Sequence, residues 1–191
     1  EKPVTVMGQL VQQIGLASFS KVSNNITLVG TYVVKSTSVL AIVLFPVFFG
    51  IAAIAPNFVP LLLGEKWLEA IVPLQIICAI QLVNALRVIP GSALFATGYG
   101  KRKILHVSVA IVASLIGWGV GLQYGLNMGC LLFFFVYIVW FIWHIWDASS
   151  RIFIDQRKYW RCLSIPLFMS VIMFFAVTAI GNIMHESSIV I

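Results

Sequence analysis

Long uncharged runs alternate along the chain with short polar segments that are mostly basic. Residues 36–64 run 29 positions without Asp, Glu, Lys or Arg, residues 104–146 run 43, and residues 162–184 run 23. A helix rises 1.5 Å per residue and the hydrocarbon core of a bilayer is about 30 Å thick, so about 20 apolar residues make one span. The 43-residue run is about twice too long for a single crossing. Its Gln123-Tyr124-Gly125-Leu126-Asn127 segment supplies the turn back. Residues 70–97 add a span interrupted only by Arg87. The pattern therefore predicts an all-α membrane protein with spans near 37–58, 70–97, 104–122, 127–146 and 162–184. Residues 1–20, with Gln9, Gln12 and Gln13 at helical spacing, read as the end of a truncated transmembrane helix, and residues 21–191 as the bundle.

Composition agrees. The chain is 61% hydrophobic and 9% charged, with a mean hydropathy of +1.03, against about 45–50% and about 25% in soluble domains. These values exclude a disordered chain, a nucleic-acid module and an ordinary water-soluble enzyme. Glu1 begins the chain, and the first apolar stretch lacks a signal-peptide layout. Both features suggest a piece of a longer protein.

The +6 net charge reports topology. Lys21, Lys35, Lys101, Arg102, Lys103, Arg151, Arg157, Lys158 and Arg161 fall on one side of the alternating spans, and Lys66 alone on the other. The positive-inside rule assigns the loops near 21–35, 98–103 and 147–161 to the cytoplasm. Trp67, Trp140, Trp143 and Trp146 suit either an interfacial belt or packing. Cys78, Cys130 and Cys162 have neither metal-site nor disulfide spacing and read as packing residues. His106, His144 and His185 are scattered near span ends and read as interfacial polar residues, with a proton relay through His106 or His144 as the alternative, and no metal site is expected. Asp147 and Asp155 are expected at or beyond the inner interface, solvated or paired with Arg151 or Arg157.

Arg87 is the sharpest chemical signal. Lys101 follows 14 positions later, which places Arg87 on the order of 20 Å from the basic cluster along a straight helix. A charge at such depth costs about 2.5–3.5 kcal/mol or more and should face a cavity or a partner. Gln81, Asn84, Arg87 and Gly91 share one helical face, and Pro90 removes a backbone hydrogen bond within a turn of Arg87. A polar stripe beside a Pro-Gly break points to a transport pathway, and pairing of Arg87 within the bundle is the alternative. Pro46 and Gly50 suggest a similar break in the first span. The glycines of Gly98-Tyr99-Gly100-Lys101-Arg102-Lys103 lack the setting of a phosphate loop. They fit a cytoplasmic turn, with lipid phosphate as a contact for Lys101, Arg102 and Lys103.

Several segments resemble one family. They are Pro56-Asn57-Phe58-Val59-Pro60-Leu61-Leu62-Leu63-Gly64-Glu65-Lys66-Trp67, then Ala70-Ile71-Val72-Pro73-Leu74-Gln75-Ile76, Leu86-Arg87, and Ala93-Leu94-Phe95-Ala96-Thr97-Gly98. In order and spacing these are similar to O-antigen and exopolysaccharide flippases of the multidrug/oligosaccharidyl-lipid/polysaccharide exporter superfamily. Residues 12–20 resemble the helix end before them, without the proline common near Ser18. The resemblance covers about residues 4–145. It implies two helical bundles around a central cavity, this chain supplying most of the C-terminal one, in a bacterial inner membrane. It also implies a polyprenyl-pyrophosphate-linked oligosaccharide as substrate, as in lipopolysaccharide or exopolysaccharide biosynthesis, with Arg87 as the cation that holds the pyrophosphate; Asn84 and Gln81, which share its helical face, are expected to bind the substrate with it. Membrane lipids and other polysaccharide-assembly membrane proteins would be the partners, with no nucleic acid, cofactor or catalytic residue. Two other readings stay open: a cation-coupled multidrug exporter, which needs an acidic residue within a span, and a membrane polysaccharide polymerase or ligase, which needs a larger outer loop.

Overall fold

The computed structural model describes Phe19 and residues 25–189, with side chains described as far as Gly181. The truncated helix expected over residues 1–20 therefore lies, except for Phe19, outside the described residues. The described chain is helical throughout: α1 Ile26–Leu63, a 3₁₀ turn Glu65–Ala70, α2 Ile71–Leu86, α3 Val88–Ala96, α4 Gly100–Leu122, α5 Leu126–Ile152 and α6 Gln156–Ile189. Five stretches are long and apolar enough to cross a membrane: α1, the 3₁₀ turn with α2 and α3, α4, α5, and Gln156–Gly181 of α6. The chain is a multi-pass membrane protein. Its outward surface carries exposed Val39, Leu61, Val139 and Phe168, the side chains a bilayer solvates and water does not.

The helices outrun the expected spans, because backbone hydrogen bonding does not stop where apolar residues do. Residues 26–35, read as loop, are the first turns of α1. The 147–161 loop shrinks to Phe153, Ile154 and Asp155, and the 98–103 loop to a tight turn around Gly98. Turn chemistry sets these ends. Gly98 (φ 87°) and Gly125 (φ 107°) take the left-handed backbone open to glycine. Asp155 Oδ1 accepts from Lys158 N at 3.2 Å, capping α6. Pro46 breaks nothing; α1 remains helical through Pro46, Pro56 and Pro60. Pro56 cannot donate to the carbonyl of Ala52 four residues back. Gln75 Nε2 from α2 donates to that oxygen instead, at 2.9 Å.

The packing order runs α6, α1, α2, α5, α4, with the short α3 wedged against α4 and α5. Its core draws on Val29, Val33 and Phe45 of α1, Leu86 of α2, Leu94 of α3 and Ile145 of α5. Gly30 sits so close to the end of α5 that a Cβ there would lie 2.5 Å from the Phe153 carbonyl oxygen. Arg151 lies over the Tyr99 ring, 5.5 Å from its centroid. These two contacts gather the start of α1, the Gly98 turn and the α5–α6 turn at one end of the bundle.

Candidate functional site

The helix spanning residues 71–96 is interrupted at Arg87, which separates α2 from α3. The cause lies three residues on. Pro90 has no N–H to give the Leu86 carbonyl, and the ladder loosens there. The chain still winds on, with Arg87 N donating to Val83 O and Gly91 N to Arg87 O. The expected Pro90 effect is thus a local loosening centred on the cation.

The predicted polar face is a connected network. Arg87 Nε donates to Asn84 Oδ1 at 2.6 Å, and Asn84 Nδ2 donates to Gln81 Oε1 at 3.1 Å. Tyr137 of α5 donates its hydroxyl to the same Asn84 oxygen at 2.6 Å. The guanidinium also lies over the Trp140 ring, 5.6 Å from its centroid. Arg87 is half-buried, and among the described residues it pairs with no carboxylate. A neutral amide oxygen and an aromatic face hold its charge without cancelling it.

Two cavities meet at Arg87, Val107 and Trp140. The larger, about 320 Å³, lies between α4 and α5 and is mostly apolar, walled by Trp118, Phe133 and Tyr137 among others. The smaller, about 230 Å³, is the more polar of the two: Arg87 is joined there by Lys103, His106 and His144. Gln81 is exposed and borders neither.

Lys103 corrects the distance estimate for Arg87. α4 runs back antiparallel from the Gly98 turn, so Arg87 and Lys103 differ by only about 9 Å along the axis. The two long side chains close that gap. Lys103 is half-buried beneath the Phe95 ring, 5.4 Å from its centroid, whereas Lys101 is exposed and Arg102 borders neither cavity.

His106 and His144 are also relocated, and the side chain of His185 lies outside the described residues. His106 is fully buried, its Nε2 2.9 Å from Asp147 Oδ2, and Trp140 Nε1 donates to its carbonyl at 2.9 Å. Asp147 accepts from Arg151 Nε at 3.2 Å, so the expected Arg151 pairing is present and His106 is an added partner. Asp155 pairs with Lys158 rather than Arg157. Its carboxyl is held below the ordinary range by the Lys158 backbone N–H and then by the Lys158 side chain. Trp140 is buried and Trp143 lies 4.2 Å from the His106 ring, while Trp146 and Trp67 are exposed. Packing claims the first two. Cys78 and Cys130 are buried free thiols, and Cys162 is free and half-buried.

A sequence signal for the missed residues exists. Trp140, His144, Asp147 and Arg151 recur every three or four positions on α5, and Lys103, His106, Ala110, Ser114, Gly117 and Gly121 do so on α4. Each set forms one helical face.

Residues 1–72 match the model of a family described as polysaccharide biosynthesis protein. Over 134 residues the chain is 28% identical to the lipopolysaccharide biosynthesis protein WzxC of Escherichia coli (strain K12), covering 68% of this chain and 27% of that protein. It is 26% identical over 126 residues to the teichuronic acid biosynthesis protein TuaB of Bacillus subtilis (strain 168), covering 66% of this chain and 24% of that one. The matches thus span about a quarter of the length of these relatives. No solved structure matches. The likeness to polysaccharide biosynthesis proteins is upheld over part of the chain.

Proposed function

We propose that this chain is part of a carrier in polysaccharide biosynthesis, and that it moves a polyprenyl-pyrophosphate-linked oligosaccharide across the cytoplasmic membrane by alternating access. The observation that carries the reading is Arg87: a half-buried guanidinium at a proline-loosened point of a spanning helix, neutralised by no carboxylate among the described residues and bordering two cavities. The likeness to WzxC and TuaB supplies the polysaccharide context.

A guanidinium suits the task because it stays charged and meets phosphate oxygens in pairs. Asn84 engages Nε and leaves the two Nη groups outside that bond. Lys103 adds a second cation to the polar cavity, and at low effective dielectric two such charges attract a pyrophosphate strongly. The loosened backbone at Arg87 is where the helix can bend as the carrier changes its facing direction. The basic end of the bundle is cytoplasmic in this reading, and the lipid tail stays in the bilayer. No bond is made or broken.

Export of lipid-linked glycan in cells whose only copy of the full-length protein carries Arg87→Ala or Arg87→Lys tests the site. Alanine should abolish export and lysine should retain a small fraction of it. Normal export by the alanine variant at equal membrane abundance removes Arg87 from the mechanism.

A further inference from the structure

The outward face of α6 changes character along its length. Ile165, Phe168, Ile172 and Phe175 are exposed and share one stripe, three or four positions apart. Toward the start of the helix the same stripe continues through Ser164 to Arg161, Trp160 and Arg157, all exposed. Tyr159, Leu163 and Ser170 are buried on the opposite face of a helix that packs chiefly against α1.

Among the described residues neither Arg157 nor Arg161 pairs with a carboxylate. Asp155, the acid nearest in sequence, is engaged by Lys158 at 3.3 Å, and Lys158 lies about 100° around the helix from Arg157. The two arginines are one turn apart, about 6 Å along the axis. Like charges at that spacing repel, and an anion between them relieves the repulsion.

The aromatic residues place this anion in a bilayer interface. Trp160 meets the Tyr159 ring and the Phe141 ring of α5 edge-on, at 5.7 and 6.3 Å, and remains 40% exposed. Phe153, in the turn before α6, takes a left-handed backbone at φ 51°, which is costly for a bulky residue, yet its ring is 63% exposed. Burial in the bundle does not offset that cost, whereas immersion among lipid headgroups does. A soluble anion could use the two cations but not the apolar stripe that continues from them.

We infer that this face of α6 binds an anionic glycerophospholipid. Its phosphate lies between the Arg157 and Arg161 guanidinium groups, Trp160 packs beside the glycerol region, and the acyl chains follow the stripe from Ile165 to Phe175. A zwitterionic headgroup fits less well, because its ammonium is repelled by the same arginines. The site is separate from the cavities at Arg87, none of whose lining residues lies on α6. It also differs from the lipid contact expected at Lys101, Arg102 and Lys103, since Lys103 is turned into a cavity.

The probe is phosphatidylglycerol in competition with phosphatidylcholine of the same chains. Full-length protein is released from nanodiscs holding the two lipids in equal amounts, and native mass spectrometry counts the lipids that stay bound. The wild type should retain phosphatidylglycerol over phosphatidylcholine, less so at higher salt. One arginine near a lipid surface contributes about fivefold in affinity, so Arg157→Gln with Arg161→Gln should weaken one retained phosphatidylglycerol about 30-fold. Arg157→Lys with Arg161→Lys should keep that lipid, and so should Lys101→Gln with Arg102→Gln. In phosphatidylcholine alone the paired glutamine variant should unfold at the wild-type midpoint. An unchanged count in that variant, equal retention of both lipids by the wild type, or loss of the lipid in the Lys101 and Arg102 variant overturns the inference. A lower midpoint in phosphatidylcholine alone also overturns it, because the arginines would then serve the fold.

Discussion

Asn84→Asp separates the two roles Arg87 could have. The substitution replaces only the Nδ2 amide, which donates to Gln81 Oε1 at 3.1 Å, with an oxygen. Oδ1 still accepts from Arg87 Nε and Tyr137 at 2.6 Å and now belongs to a carboxylate. If Arg87 serves only to hold the bundle together, a carboxylate there strengthens the pair, and stability should hold or rise. If Arg87 serves an anion, the carboxylate cancels the attraction. A unit charge about 7 Å from the bound anion, at an effective dielectric near 20, repels it by about 2 kcal/mol, or about 30-fold in affinity. The assay pairs glycan export at matched membrane abundance with thermal unfolding of the purified full-length protein. The expected outcome is export reduced at least tenfold with an unfolding midpoint no lower than wild type. Wild-type export by Asn84→Asp would refute the argument, because no anion could pass that site without meeting the added charge.

Packing and pH give further expectations. Gln75→Leu leaves the Ala52 carbonyl without its replacement donor and should cost about 0.6–1.7 kcal/mol, read as a lower unfolding midpoint with helix content retained. Gly30→Ala puts a methyl 2.5 Å from one backbone oxygen and 2.6 Å from another; the resulting shift of α1 should cost about 1–3 kcal/mol, seen as lower membrane abundance. Asp155 has a depressed carboxyl pKa in the folded chain. Its contribution is therefore present above the unfolded value of about 3.9 and lost as pH falls through the folded one. Asp155→Asn keeps a capping side chain, and its unfolding midpoint should change less than wild type over that acid range.

Much of this architecture is legible because membrane helices declare themselves locally. The five crossings, the Gly125 turn and the Gln81–Asn84–Arg87 face all follow from spacing within one helix. What escapes is the register between helices. His106 and Asp147 are 41 positions apart, and nothing in either helix alone says that their turns lie level. Lys103 escapes for the same reason: reading along one helix sends the basic cluster away from Arg87, while the antiparallel return of α4 brings it back. Charge is a poor marker of helix ends. Arg151 sits inside α5, its charge met by Asp147 one turn earlier.

The buried carboxylate reopens the question of what cargo charge the site accepts. A drug exporter coupled to cations needs an acid within a span. Asp147, expected at or beyond the inner interface, lies buried in the last turns of α5. Yet its oxygens already meet Arg151 and His106, so a cation could bind only by displacing Arg151. The same cavity system also presents Arg87 and Lys103, two positive charges against a carboxylate already matched by a third. An organic cation approaching this lobe meets net repulsion, and a phosphate-bearing ligand meets attraction. The sign of the charge left unmatched, more than the presence of an acid, favours the anion carrier.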